Sequence, residues 1–217
     1  MYIVSDVEGT LTTAVMWKSV ARYLELNGNG RRHQWFLLRN YPPVLAYRLG
    51  WRDPYRFQMQ WLERQARLLT GWSPAQIDAL AEWMVEEEMW PKRRQEVLDE
   101  LAAHTSEGLR LVLASGMYQP MVAAFARRLG VAGTISLGTL LTYESGRFTG
   151  RFNGPVCNGE EKARRVQIVT GQATIAFAYG DSAADLPMLA LSKAPVAVYP
   201  DEQLAMAAKS NHWRVIC

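Results

Sequence analysis

A chain of 217 residues, nearly half of them apolar, is long enough to bury one mid-sized core or a core carrying a smaller inserted lobe. Its net charge of +3 is too mild to suggest nucleic-acid binding, and no apolar run is long enough to span a bilayer. Cys157 and Cys217 form neither a disulfide framework nor a zinc spacing, which suits a reducing compartment.

Met1–Ser5 is a short, partly β-branched apolar run closed by Gly9–Thr10, the pattern of a buried strand delivering Asp6 at its C-terminal end. The start MYIVSDVEGT has no basic n-region and no long apolar stretch, so it reads as a first strand, and a cytoplasmic location is expected. Residues 14–90 differ in character. They hold seven of the eight tryptophans and no strand pattern, and Asp53–Pro54 and Ser73–Pro74 both have the form of a helix start. This predicts an all-helical lobe inserted after the first strand, leaving 1–13 and 91–217 as the core. A helix is predicted over Pro91–His104, a strand over Leu109–Ala114 ending at Ser115–Gly116, and a helix over Gln119–Leu129. Leu137–Phe152 reads as a hairpin turning at Glu144-Ser145-Gly146. A helix over Glu160–Thr170, a strand over Thr174–Ala178, and short strands over Pro195–Tyr199 and Trp213–Ile216 complete the chain. Strands alternating with helices imply an α/β fold with a parallel sheet covered on both faces, and ligands of such sheets sit at the strands' carboxyl ends.

Asp6, Ser115 and Asp181 all fall at such ends. Asp6 and Glu8 place two carboxylates two residues apart, one suited to nucleophilic attack and the other to protonating a leaving oxygen. The hydroxyl of Ser115 and the backbone at Gly116 suit a phosphate oxygen, and Lys162 suits the charge of a phosphate beside Asp6. Asp181, with Asp6, suits Mg²⁺, a hard cation that takes a few carboxylates. Each residue also has a plainer use: Ser115 as a helix cap, Lys162 as a surface lysine, Asp181 as a turn residue, Asp185 as a helix-start residue. Four such signals in this order favour the chemical reading.

These motifs resemble those of the haloacid dehalogenase superfamily. DVEGT is similar to its first motif, Ala114-Ser115-Gly116 to the second, Lys162 to the third and Gly180-Asp181-Ser182-Ala183-Ala184-Asp185 to the fourth. The run from Cys157 to Lys162 resembles the phosphoserine-phosphatase-like branch, in which a helical cap is inserted between the first two motifs. The resemblance implies a Rossmann-like core, Mg²⁺ as cofactor and an aspartyl-phosphate intermediate. It implies Asp6 as nucleophile and Glu8 as acid/base whose backbone carbonyl also faces the metal. Ser115, Gly116 and Lys162 would hold phosphate, and Asp181 and Asp185 would complete the metal site. Glu8 departs from the aspartate most such phosphatases carry, and reaches one methylene further.

The expected substrate is a small phosphomonoester. Other transfer chemistries of the superfamily and a non-enzymatic binding module are the competing readings. Between Lys18 and Arg67 the lobe has nine arginines and one lysine against Glu25, Asp53 and Glu63. This fits a bundle with arginines facing water, a cap that binds an acidic substrate, or, over Trp35–Trp51, a peripheral contact with an anionic membrane. His33, His104 and His212 are scattered and take no assigned role.

Overall fold

The computed structural model describes residues 1–28, 30, 34–38, 54–171 and 173–217, the side chains of 54–58 excepted. Six strands form one parallel sheet: β1 (Tyr2–Ser5), β2 (Arg110–Tyr118), β3 (Ile135–Thr139), β6 (Ile175–Gly180), β7 (Ser192–Val198) and β8 (Arg214–Ile216). Their order is β3-β2-β1-β6-β7-β8. The chain builds outward on one side of β1 and then returns to its other side, so the strand order reverses between β1 and β6. That is where a crevice opens beyond the strands' carboxyl ends.

Period-two alternation along the strands divides the core. Ile3, Leu111 and Leu113 face one apolar cluster; Tyr2, Val4, Val112 and Ala114 face another. The second cluster is closed by α6 (Gly159–Thr170), α7 (Leu186–Leu189) and α8 (Glu202–Ser210), through Ala163, Val166, Met188, Leu189, Leu204 and Ala208. The first is closed by α4 (Gln95–Ser106) and α5 (Gln119–Leu129).

Helices also occupy the chain between β1 and β2: α1 (Met16–Leu26), α2 (Pro54–Ala66) and α3 (Pro74–Trp83), the last running into a π-helical turn at Met84–Met89. Ser73–Pro74 starts α3 as expected. Gln76 N–H donates to Ser73 Oγ, and Ser73 N–H donates to Gln76 Oε1. Asp53 lies outside the described residues. Val20 and Leu24 of α1, Ile77 and Leu80 of α3, and Met84 share the cluster under the first sheet face. These helices are therefore packed onto the sheet side of the molecule through one continuous apolar contact.

Three expectations about elements require correction. The helix predicted from Pro91 starts at Gln95, with Pro91 in a 3₁₀ turn over Trp90–Lys92. The delay arises because Arg93 is extended and bridges Thr12, while Arg94 N–H donates to Leu11 O. The strand predicted to end at Ser115–Gly116 continues to Tyr118, its pairing with β3 shifting register between Ala114 and Tyr118. The hairpin predicted over Leu137–Phe152 is only β4 (Leu141–Glu144) and β5 (Arg147–Phe152), because Leu137 belongs to β3 and pairs with Ala114. Ser145 (φ +47°) and Gly146 (φ +71°) make the turn, the paired left-handed conformation that suits strand twist. The hairpin is fastened to the inserted helices: Gly71 N–H donates to Phe148 O and Phe148 N–H to Trp72 O, both at 2.8 Å.

Candidate active site

Asp6 follows β1 directly, and its N–H donates to Tyr179 O of β6, anchoring it at the point where strand order reverses. Its carboxylate is buried. Lys162, on the first turn of α6 and also buried, donates to Asp6 Oδ1 at 2.8 Å and to Asp185 Oδ1 at 2.6 Å. The other oxygen of Asp185 faces the N–H groups of Asp181 and Ser182 and the Ser182 hydroxyl at 3.2–3.3 Å. Thr10 Oγ1 donates to Asp181 Oδ1 at 3.1 Å and lies 3.5 Å from Asp6 Oδ2. Asp6, Asp181 and Asp185 thus each offer an oxygen within 4.8 Å of the others.

The cluster is short of positive charge. Burial raises the Asp6 carboxyl above the usual aspartate range; Lys162 opposes this, while the Asp185 charge adds to it. Burial also raises Asp181, reinforced by the charges of Asp6 and Asp185 and opposed by the Thr10 hydrogen bond and Lys162. Burial works against the Lys162 ammonium as well, but Asp185 and Asp6 outweigh it and hold it above the usual lysine range. Three carboxylates around one ammonium form an all-oxygen donor set with charge to spare. That set fits a hard divalent cation.

Gly9 explains how two loops from opposite ends of the chain come so close. Its φ is +92°, and a Cβ there would stand 2.1 Å from Asp181 Oδ2. Only a residue without a side chain allows this approach. Arg94 holds the same loop from outside, its Nε donating to Gly9 O at 3.1 Å.

Glu8 lies apart from the three aspartates. Its Oε2 accepts from Met16 N–H at 2.8 Å, the first residue of α1, where neither Val15 nor any other cap side chain serves the helix start. The added methylene of glutamate therefore ties the carboxylate to the first inserted helix. Glu8 contributes no side-chain oxygen to the cluster of Asp6, Asp181 and Asp185. Burial raises its carboxyl to about 7, the Met16 hydrogen bond opposing and the Asp6 charge adding.

Ser115 is buried within β2 rather than capping a helix; α5 begins four residues beyond it, at Gln119. The register that sets Ser5 opposite Leu113 brings Ser115 alongside the residues following Asp6. Gly116 O accepts from Thr139 Oγ1, which also receives Cys157 N–H, so the second motif is tied to the segment leading into Lys162. Of the residues the sequence singles out, Asp6, Lys162, Asp181 and Asp185 are brought together at one end of the sheet, while Ser115 and Gly116 lie on the neighbouring strand β2. Sequence reasoning missed the bridging role of Thr10, whose place four residues after Asp6 was the available signal, and Arg94, for which no local signal exists.

Of the aromatic and basic stretch at 35–51, Trp35, Leu37 and Leu38 are exposed and Phe36 packs edge-on against Trp61; residues 39–51 lie outside the described residues. Among the described residues no helix is long and apolar enough to cross a membrane. His104 stacks on Phe177 at 4.0 Å and is 3.2 Å from Tyr179 Oη, a packed histidine; His33 lies outside the described residues.

Known proteins resemble the chain in sequence and in fold. Over 151 residues the chain is 31% identical to phosphoserine phosphatase SerB1 of Mycobacterium tuberculosis (strain ATCC 25618 / H37Rv), covering 68% of this chain and 48% of that protein. The chain spans about half the length of the curated relatives it matches. A crystal structure of a protein of unknown function from Bordetella pertussis Tohama I superposes with TM-score 0.80 at 25% identity, covering 100% of this chain and 97% of that one. A probable phosphoserine phosphatase from Vibrio cholerae superposes with TM-score 0.66 at 19% identity, covering 99% and 59%, and so shares the fold. The profile of the haloacid dehalogenase-like hydrolases matches residues 3–190, which contain every residue of the cluster, and the chain belongs to that family.

Proposed function

We propose that this protein hydrolyses small phosphomonoesters, with Asp6 as nucleophile and Glu8 as acid and base. The observation that carries the reading is the Lys162 bridge, 2.8 Å to Asp6 and 2.6 Å to Asp185, inside a cluster completed by Asp181. A buried ammonium held between two of three clustered carboxylates supplies positive charge where a phosphoryl group would meet Asp6. Relatives named as phosphatases, among them SerB1 and a probable phosphatase of the same strain, support it.

In the first step an Asp6 oxygen attacks phosphorus and the ester P–O bond breaks, leaving an aspartyl phosphate. Glu8 supplies the proton to the departing alkoxide. Its raised carboxyl suits this at neutral pH, and the Met16 N–H holds Oε2 so that Oε1 can carry the proton. In the second step water attacks the aspartyl phosphate, Glu8 takes its proton, and phosphate leaves with Asp6 regenerated. Ser115, Gly116 and Lys162 hold the phosphoryl oxygens, Lys162 opposing the charge that builds on them. Asp6, Asp181 and Asp185, with the Glu8 carbonyl, would hold Mg²⁺, which supplies further charge neutralisation at the phosphoryl group.

Residues 14–90 act as the cap over this site. Both ends of that segment meet at one neck: Thr12 Oγ1 donates to Met89 O at 2.8 Å and Thr13 N–H to Lys92 O at 3.0 Å. Substrate choice resides there, with phosphoserine one candidate among phosphorylated amino acids, sugars, alcohols and lipid head groups. The setting is reducing and cytoplasmic, consistent with two free cysteines. Mg²⁺-dependent release of phosphate from p-nitrophenyl phosphate and a phosphomonoester panel tests the reading, and Asp6→Asn reduces turnover to background. Turnover that survives Asp6→Asn rejects Asp6 as nucleophile, and silence across the whole panel favours a binding module.

A further inference from the structure

The loop that presents Asp181 and Asp185 is held from outside by a residue in no recognised motif. Asp201 stands immediately before α8, and its two carboxylate oxygens serve different partners. Oδ1 accepts from Leu204 N–H at 2.8 Å, the usual bond of a helix-capping aspartate. Oδ2 accepts from Ala183 N–H at 2.9 Å, in the middle of the Asp181–Asp185 loop. The Asp201 N–H donates to Asp181 O at 2.8 Å. One residue thus ties both Asp181 and Ala183 to the start of α8.

A second observation meets the first two residues upstream. Tyr199 has φ +43°, a conformation that a bulky side chain adopts only against strain. It places the Tyr199 ring under the Arg94 guanidinium, 3.7 Å from the ring centre. Arg94 is the residue whose Nε holds Gly9 O, and whose N–H holds Leu11 O. The Asp6 loop is therefore gripped by Arg94 and the Asp181 loop by Asp201, and the two grips are joined through Tyr199. Gly9 and Asp181 are also the places where the loops touch, so a relaxed grip on either side would change the separation of the aspartates.

We infer that Asp201 is a positioning residue that sets the geometry of Asp181 and Asp185 for a divalent cation, with Arg94 and Tyr199 completing a girdle around both loops. The inference about the cation rests on the proposed function; the inference about the loop does not. Outer hydrogen-bonding partners of this kind change metal affinity by about 10–100-fold when lost, and the exposure of Asp201 sets the lower end here.

Asp201→Ser separates the two duties of the side chain. Serine caps a helix start well but cannot also reach Ala183, so the melting temperature of the metal-free protein stays within about 2 °C of wild type. Amide hydrogen exchange at Ala183 accelerates, and Mg²⁺, titrated by calorimetry, binds about tenfold more weakly. Asp201→Glu keeps the charge while moving the oxygens by ~1.5 Å, and it loses affinity too if position rather than charge is what matters. Exchange and Mg²⁺ affinity both as in wild type reduce Asp201 to a helix cap and overturn the inference. Faster exchange with unaltered affinity overturns its role toward the cation. Wild-type protein that binds no Mg²⁺, with exchange still accelerated in Asp201→Ser, supports the loop grip and rejects the metal reading on which the rest depends.

Discussion

Replacing Lys162 by methionine removes the one buried cation of the aspartate cluster while keeping most of the side-chain volume. The lysine contacts Asp6 at 2.8 Å and Asp185 at 2.6 Å, with all three side chains at most 6% exposed. At an effective dielectric constant of ~20, each contact carries roughly 6 kcal/mol of gross attraction. Desolvation of three charges offsets most of this, and removing one member of a buried ion pair costs about 3–5 kcal/mol net. For a chain of this length that lowers the melting temperature by roughly 6–20 °C in EDTA at pH 7.5. The deficit shrinks as the pH falls toward 5, because the abandoned carboxylates relieve their repulsion by taking up protons. Saturating Mg²⁺ restores part of the loss, and phosphate release falls by about 10²–10³-fold. Calorimetric melts at both pH values, with and without Mg²⁺, measure these effects. A melting temperature within about 2 °C of wild type at pH 7.5 in EDTA would refute the claim that Lys162 is the counter-charge of the cluster.

Gly9→Ala and Gly146→Ala impose the same left-handed φ on an alanine, but only Gly9 would drive a Cβ into Asp181; Gly146 faces open space. The Gly146 variant loses about 1–2 kcal/mol, whereas the Gly9 variant loses more and also binds Mg²⁺ at least about tenfold more weakly; equal metal affinities would dismiss the close approach as incidental. Glu8→Asp withdraws the carboxylate from Met16 N–H, so denaturant titration shows a loss of about 0.5–2 kcal/mol, and a variant as stable as wild type would deny Glu8 its hold on α1. The pH dependence has a defined sign. Glu8, Asp6 and Asp181 are all raised in the fold, so the folded metal-free protein binds protons that the unfolded chain has released. Their contribution is fully present below the unfolded carboxylate range and is lost as the pH rises through about 7 for Glu8. Urea titrations in EDTA therefore give a more stable protein at pH 5.5 than at pH 8, by about 1–2 kcal/mol from Glu8 alone once its partial exposure is allowed for; stability that rises over this interval contradicts the assignment.

Local pattern was enough to read the α/β class and the residues that meet at the sheet's end. A buried strand announces itself by a short apolar run, and an acid at its close, as at Asp6 and Asp181, must emerge where parallel strands leave room for a ligand. Elements governed by their own side chains were equally plain, such as α3 behind the Ser73–Pro74 start or the turn at Ser145–Gly146. Boundaries set by distant partners were not. Pro91 is a good first-turn residue, yet α4 waits until Gln95 because Thr12 and Leu11, some eighty residues earlier, claim the backbone of Arg93 and Arg94. Leu137 suits a hairpin but is taken by Ala114 into the main sheet.

The same division runs through the site. Residue type and order showed that Asp6, Ser115, Lys162 and Asp181 could work together, because each chemistry demands its own side chain. Tertiary structure alone decided that Lys162 bridges Asp6 to Asp185, that Thr10 bridges Asp6 to Asp181, and that Glu8 reaches the start of α1. It also decided that Arg94, Tyr199 and Asp201 form the girdle behind them. Hydrogen bonds and ion pairs act over about 3 Å in space and are indifferent to separation along the chain. A sequence can therefore name the groups able to make them, while only the packed fold selects the partners.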